Sequence, residues 1–184
     1  IINDLLDLSR LEQAQERAVI NLQPVLNRSV IDAAVQSCSV DINQKEIDTV
    51  IHCSGELLVA LNPPLLEQAL VNLLNNAIKY SEKKGRVVVE AATVHGEFYL
   101  KVRDFGCGIP EQHIPRLFER FYRVDSARSR EMGGTGLGLA IVKHIALAHN
   151  GKVVVNSVVD EGTTFTLILP LNNSSEIVLS DIEV

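Results

Sequence analysis

Met132-Gly133-Gly134-Thr135-Gly136-Leu137-Gly138-Leu139-Ala140-Ile141-Val142 is the stretch on which the reading of this chain turns. Glycines alternate at 134, 136 and 138, and an apolar helical pattern begins straight after them. Glycine accepts left-handed backbone and lets other groups approach the main chain closely. Successive N–H groups in such a loop converge on an anion, at the positive end of the helix that follows. The stretch therefore predicts a phosphate-binding loop running into a helix N-terminus. It is not the Walker loop, because no Lys-Ser or Lys-Thr follows the glycines. Alone, it reads equally as a flexible loop capping a helix, so the decision rests on what lies upstream.

The chain has 184 residues, a length that predicts one domain with a short appendage. Hydrophobic residues make up 46%, aromatics only 4%, and Trp is absent, so the expected core is aliphatic. A formal net charge of −6 argues against broad nucleic-acid binding. Cys38, Cys53 and Cys107 show no metal-ligand spacing and read as reduced, buried thiols. No apolar run approaches the length of a membrane span, and no signal peptide is visible. The sequence opens at Ile1 inside a helical pattern, which points to a piece of a longer protein.

Residues 1–18 read as an amphipathic helix, with Ile1, Leu5, Leu8 and Leu11 on one side. It fits an ordinary packed helix and half of a helical hairpin equally well. Val19 to Leu22 suggests a short strand. Pro24 is placed at the first turn of a helix whose stripe runs through Val25, Leu26, Ser29, Val30, Ala33 and Ala34 to about Cys38. Residues 47–53 and 57–61 look like two strands joined by a turn at Ser54-Gly55. Asn62-Pro63 opens a helix as N-cap and first residue, ending near Tyr80. Its apolar face is Leu66, Ala69, Leu70, Leu73, Leu74, Ala77 and Ile78. Residues 86–94 and 97–103 predict a hairpin around His95-Gly96, and 114–121 a short helix. Tyr122 to Met132 is polar and reads as a mobile loop. The next helix runs through Leu137, Ile141, Ile145 and Ala148 to a C-cap at Asn150-Gly151. Val153–Ser157 and Thr163–Leu169 close the pattern as a strand pair. The tail after Pro170 is acidic and expected to be disordered. Strands and helices follow one another without regular βαβ alternation, which predicts an α+β, two-layer sandwich with a mixed sheet covered on one face by helices.

Three stretches carry candidate chemistry. Opposite the apolar face of the 63–80 helix, Gln68, Asn72, Asn76 and Lys79 fall together. Amide oxygens suit Mg²⁺, and a lysine suits phosphate. The same stripe also fits the solvated side of an amphipathic helix. Asp104-Phe105-Gly106-Cys107-Gly108 follows a strand: a carboxylate there can accept from an amine, and the glycines admit a planar ligand. It fits an Asx turn as well. Leu117-Phe118-Glu119-Arg120-Phe121-Tyr122-Arg123 carries two Phe at packing distance along a helix.

Together these segments resemble the catalytic, ATP-binding domain of bacterial sensor histidine kinases, over about residues 20–170 and in the family's order. Asn72-Leu73-Leu74-Asn75-Asn76-Ala77-Ile78-Lys79-Tyr80 is similar to the N box. Asp104-x-Gly106-x-Gly108 resembles the G1 box, Phe118-Glu119-Arg120-Phe121 the F box, and Gly134-Thr135-Gly136-Leu137-Gly138 the G2 box. Gly162-Thr163-Thr164-Phe165 resembles the final glycine-threonine element, and residues 1–12 the end of the second dimerisation helix. The resemblance implies a Bergerat-type nucleotide-binding fold, with 1–18 as dimerisation helix, 19–170 as the catalytic domain and 171–184 as tail. It implies ATP and Mg²⁺ as cofactors. Asp104 would meet the adenine amino group with support from Thr163, beside Gly106 and Gly108. Asn76 would ligate Mg²⁺ with Asn72 nearby, Lys79 would meet phosphate, and Tyr80 would lie by the adenine or ribose. Gly134, Thr135, Gly136, Leu137 and Gly138 would close on the phosphates under a lid at about 122–136, and Arg123 would reach the γ-phosphate.

The implied partners are ATP or ADP, the dimerisation and phosphoacceptor helices of the parent kinase, and a response regulator, with no nucleic acid. The implied setting is a cytoplasmic kinase core on a membrane-associated parent. Two departures stand out. Asp160 occupies a position where the family often has glycine. His52, His95, His113, His144 and His149 all lack the phosphoacceptor context, so they read as ordinary surface or partly buried residues, and the acceptor histidine lies outside this sequence. Hydrolytic relatives carry a Glu four residues before the Mg²⁺ Asn; here that position is Asn72. A degenerate nucleotide-sensing module and a serine-directed anti-sigma kinase are the remaining readings.

Overall fold

The computed structural model describes residues 6, 9, 20–53, 57–124, 134–171, 177 and 178. In chain order the elements are β1 (Gln23–Leu26), α1 (Asn27–Ser37), α2 (Ser39–Lys45), β2 (Asp48–Cys53), β3 (Leu57–Leu61), α3 (Pro63–Tyr80), β4 (Arg86–Val94) and β5 (Glu97–Asp104). A 3-10 helix (Glu111–Arg116), α4 (Gly138–Ala148), β6 (Lys152–Val158), β7 (Gly162–Pro170) and β8 (Ile177–Val178) follow. Five strands form one sheet in the order β2-β4-β5-β7-β6; β2 runs parallel to β4 and every other neighbour is antiparallel. α3 packs between α1 and α4 and against β5. The apolar sides of these helices and of the sheet share one aliphatic core. This is the α+β sandwich with a mixed sheet that the sequence predicts.

α3 is the central element, and its construction is local. Asn62 Oδ1 accepts the Leu65 N–H at 3.1 Å, and Pro63 fills the first position, where no donor is needed. The seven apolar residues expected on one face are the seven that are buried. Removing a Leu side chain of this kind from water contributes about 1.5–3 kcal/mol. α4 ends in a Schellman motif: Gly151 N–H reaches Ala146 O at 2.8 Å and Asn150 N–H reaches Leu147 O at 2.9 Å, with Asn150 at φ 57°. His149, read as a surface or partly buried residue, is in fact buried at 5% exposure. Its Nδ1 donates to Ile145 O at 2.8 Å and its Nε2 accepts the Asn62 N–H at 3.1 Å, so it fastens the end of α4 to the start of α3.

Several expectations are corrected. Pro24 does not open a helix. It lies in β1, opposite Ala60, on the edge of a second, smaller sheet ordered β1-β3-β8. An edge position tolerates the missing donor, and the helix starts three residues later at Asn27. Residues 20–22 carry no strand. β2 and β3 are both present but are not a hairpin: β2 joins the large sheet beside β4, and β3 joins the small one. α2 was not foreseen. The helix expected at 114–121 is a 3-10 helix at 111–116, with Pro115 inside it. In the tail, Ile177 and Val178 pair with β3 rather than lacking structure. Cys38 is buried, but Cys53 is half-buried and Cys107 is exposed. The expected helix at 1–18 falls outside the described residues apart from 6 and 9, which are helical.

Candidate functional site

The site begins where the core face of the sheet stops being apolar. Across β5, β7 and β6, facing residues run Leu100–Leu167–Val153, then Val102–Phe165–Val155, then Asp104–Thr163–Ser157. The third row is polar at a position that the strand register assigns to the core side. Polar groups there need partners. Asp104 is 5% exposed, and its Oδ1 accepts the N–H groups of Gly106 at 3.0 Å and Thr163 at 3.3 Å. Burial pushes the Asp104 carboxyl above its usual range, and the donated backbone N–H bonds pull it partly back. Ser157 Oγ lies 2.8 Å from Thr163 Oγ1 and accepts the Ile109 N–H at 2.8 Å. Ser157 was missed from sequence. The available signal was a polar residue at the last inward position of an alternating strand.

Tyr80, Asp104, Gly106, Gly108 and Thr163 are brought together. The glycines pack backbone against backbone. A Cβ at Gly106 would stand 2.2 Å from Tyr80 O, and one at Gly108 would stand 2.0 Å from Val158 O. On the side where a Cβ would project, the space beside them is therefore taken by other chain segments. Asp160 resolves the first departure from the family pattern. It adopts φ 63° without being glycine, and its N–H reaches Cys107 O at 3.0 Å, tying the β6–β7 turn to the loop after β5. Asp is among the few residues that enter this region at modest cost.

A second cluster joins Lys79, Arg123 and Gly134. Burial, and after it the nearby charge of Arg123, holds the Lys79 amine below its usual range. A Cβ at Gly134 would come within 2.9 Å of Lys79 Nζ. Lys79 Nζ lies 5.5 Å from the centre of the Tyr80 ring, so the cation cluster adjoins the polar row. The Phe121 N–H donates to Gly136 O at 3.0 Å, which fixes the aromatic stretch to the glycine loop. Phe118 meets Phe165 edge to face at 6.4 Å. Arg116 lies over the Tyr122 ring at 4.3 Å. Most of the expected lid, 125–133, falls outside the described residues.

Two members of the expected set sit differently. The Leu137 side chain is completely buried in the core, so only its backbone faces the loop, where Thr135 Oγ1 accepts the Leu137 N–H at 3.2 Å. Asn72 turns its amide onto the protein: Nδ2 donates to Gln68 O at 2.9 Å, and Oδ1 lies 2.8 Å from where a Gly138 Cβ would stand. Asn76 is half-buried one turn further along α3, toward Lys79. Lys45 was also missed. From α2 its Nζ donates to Ile78 O and Lys79 O, both at 2.8 Å, closing the C-terminal end of α3 that carries Lys79 and Tyr80. No local sequence signal marks that tertiary cap.

Residues 61–173 match the family model described as histidine kinase-, DNA gyrase B-, and HSP90-like ATPase, and the chain belongs to this family. The chain is 35% identical over 175 residues to the sensor protein kinase WalK of Staphylococcus saprophyticus, covering 92% of this chain and 28% of that protein. A solved mycobacterial sensor histidine kinase, MprB, superposes with TM-score 0.70 at 33% identity, over 82% of this chain and 98% of that one. Full-length ShkA, solved with AMPPNP, superposes with TM-score 0.79 at 28% identity, over 96% of this chain and 36% of that one. This chain is the ATP-binding catalytic domain of a sensor histidine kinase. It spans about a third or less of the length of the full-length relatives it matches here. Among the described residues, no helix is long and apolar enough to cross a membrane.

Proposed function

We propose that this domain binds Mg-ATP with the base at the Asp104–Thr163 row and the phosphates at Lys79 and Arg123. The γ-phosphoryl then passes to a histidine on the dimerisation helices of the full-length kinase, for relay to a response-regulator aspartate. The P–O bond to ADP breaks, a P–N bond to the imidazole forms, and ADP leaves. The observation that carries this reading is the polar row at the end of an apolar sheet face, with a cation cluster beside it.

The residues have distinct tasks. Asp104 accepts from an exocyclic amine of the base, and Tyr80 flanks the base or ribose. Lys79 neutralises phosphate charge, and Arg123 meets the γ-phosphate. The glycine loop offers its N–H groups to the phosphates from the start of α4. Phosphoryl transfer asks the protein for alignment and charge neutralisation and little else. Among the described residues no three His, Cys, Asp or Glu side chains converge to hold a metal alone. A Mg²⁺ ion would be held by an amide oxygen together with the substrate's own phosphates, a donor set that Mg²⁺ accepts. Asn76 is the residue that would supply it, and the ion would screen phosphate charge. Asn72, tied to Gln68 O and packed at Gly138, supplies no base for activating water, which favours transfer over hydrolysis.

The test is a calorimetric titration with ADP and a non-hydrolysable ATP analogue, with and without Mg²⁺, and with GDP as control, followed by histidine transfer in the full-length protein. Adenine-selective, Mg²⁺-strengthened binding is expected. No binding, or equal binding of both bases, refutes the proposal.

A further inference from the structure

We propose that Ser157 is a positioning residue for base selectivity: it turns the Thr163 hydroxyl so that the row offers a ligand only hydrogen-bond acceptors. The inference rests on the reading of that row as the base site. Ser157 Oγ has three partners, namely the Ile109 N–H at 2.8 Å, Gly162 O at 3.0 Å and Thr163 Oγ1 at 2.8 Å. A hydroxyl has one proton and two lone pairs. The Gly162 carbonyl can only accept, so the Ser157 proton goes there. The Ile109 N–H can only donate, so it takes one lone pair. The arrangement closes only if Thr163 donates into the other. Thr163 thus spends its single proton on Ser157 and shows its lone pairs to the site.

The neighbouring group has the same sign. An ionised carboxylate only accepts, and Asp104 Oδ1 already holds the Gly106 and Thr163 N–H groups. Two acceptors side by side match a 6-amino purine, whose amine brings two N–H donors. A 6-keto purine brings an oxygen there. Its ring N–H can satisfy Asp104, but the keto oxygen then faces Thr163 lone pairs with no donor. Were the Thr163 proton released, the row would become one acceptor and one donor, the pair a 6-keto purine requires. Discrimination between the two bases is therefore held by a residue set back from the ligand. A site that leaves a polar group unpaired rejects the wrong ligand far more strongly than a poor steric fit does.

The experiment measures ADP and IDP affinity for the wild-type chain, Ser157→Ala and Ser157→Thr by calorimetry. The wild type should prefer ADP by about 100-fold or more. Ser157→Ala should narrow the ratio by about tenfold, mainly by gaining IDP affinity. Ser157→Thr keeps a hydroxyl and should restore the wild-type ratio. Equal weakening of both nucleotides by Ser157→Ala would mean a merely structural role and overturn the proposal. Should Ser157→Ala fail to fold, Thr163→Val decides. It should weaken ADP and spare IDP, and an unchanged ratio overturns the idea. A wild type that binds ADP and IDP alike defeats the base-site reading itself, whereas a selective wild type with a selective Ser157→Ala defeats only the role of Ser157.

Discussion

Asp104→Asn should make the nucleotide-free domain more stable while it weakens nucleotide binding. The carboxylate is 5% exposed, and burial raises its pKa above the usual value. A group whose folded pKa is raised contributes stability only below its unfolded pKa, near 3.8 here, and loses it as pH rises through the folded value. At neutral pH the buried charge therefore works against folding. Asparagine has nearly the same shape, keeps an oxygen for the Gly106 and Thr163 N–H groups, and carries no charge. Binding moves the other way. The new NH₂ faces the amine of the base, so a charge-assisted hydrogen bond is lost and two donors oppose each other. Such a bond contributes about 1.5–3 kcal/mol, which predicts a loss of about 10- to 150-fold in ADP affinity. Urea unfolding followed by far-UV circular dichroism suits a chain with no Trp. The midpoint should rise at pH 7.5, and the gain should shrink toward pH 4. A variant that is less stable at neutral pH, or that binds ADP normally, refutes the argument.

His149→Gln should flatten the acid side of the stability curve. Burial holds the His149 imidazole below its usual pKa, so the unfolded chain takes up a proton that the folded chain refuses. Stability from this group is full above pH 6.5 and falls below it by up to about 1.4 kcal/mol per pH unit. His144, lowered by burial and by Arg120 and Lys143, acts in the same direction, so His149→Gln removes part of the slope, and urea midpoints at pH 7.5 and 5.5 measure it. Gly106→Ala should destabilise by about 1–3 kcal/mol, the range of core overpacking, because its Cβ would strike the Tyr80 carbonyl at 2.2 Å. Gly138→Ala meets only the Asn72 side-chain oxygen at 2.8 Å and lies in α4, so its midpoint should change little; equal losses in the two variants would contradict this. A thiol reagent should modify exposed Cys107 first and leave Cys38 untouched in the native state, since burial pushes the Cys38 thiol up to about 11. Cys107 lies between Gly106 and Gly108, three residues after Asp104, so ADP should slow its modification, and an ADP-independent rate would count against the base position.

What the sequence made legible was local. The buried face of α3, the Asn62 cap, the turn at His95-Gly96 and the Asn-Gly end of α4 each depend on residues within a few positions of one another. What it hid depends on distant partners. Pro24 is a good first helical residue until Ala60 stands opposite it. β2 and β3 look like a hairpin because each alternates suitably, and nothing local says that β2 pairs with β4 instead. His149 reads as an ordinary surface or partly buried residue until the Asn62 N–H appears at its Nε2. The candidate site follows the same division. Asp104, Thr163 and Lys79 stand out through their neighbours in sequence, whereas Ser157 and Lys45 matter only once strand register and helix docking bring them alongside.

The same contrast explains why the site lies where it does. A sheet covered by helices on one face must end somewhere, and its last inward-facing row is neither fully core nor solvent. Placing Asp104, Thr163 and Ser157 there would cost several kcal/mol if their polar groups were unpaired. Backbone donors from the adjoining turns lower that cost, and they can reach only because glycines let the turns close down. A Cβ at Gly162 would stand 2.2 Å from Asp104 O, just as one at Gly106 would stand against Tyr80 O. The glycines thus draw the end of α3, the loop after β5 and the β6–β7 turn into one junction. That junction holds the carboxylate's own lone pairs only in part, because Asp104 Oδ1 takes both backbone donors. In the proposed reading a ligand amine would complete what the fold leaves incomplete, which would make recognition of the base and the cost of burying Asp104 two sides of one arrangement.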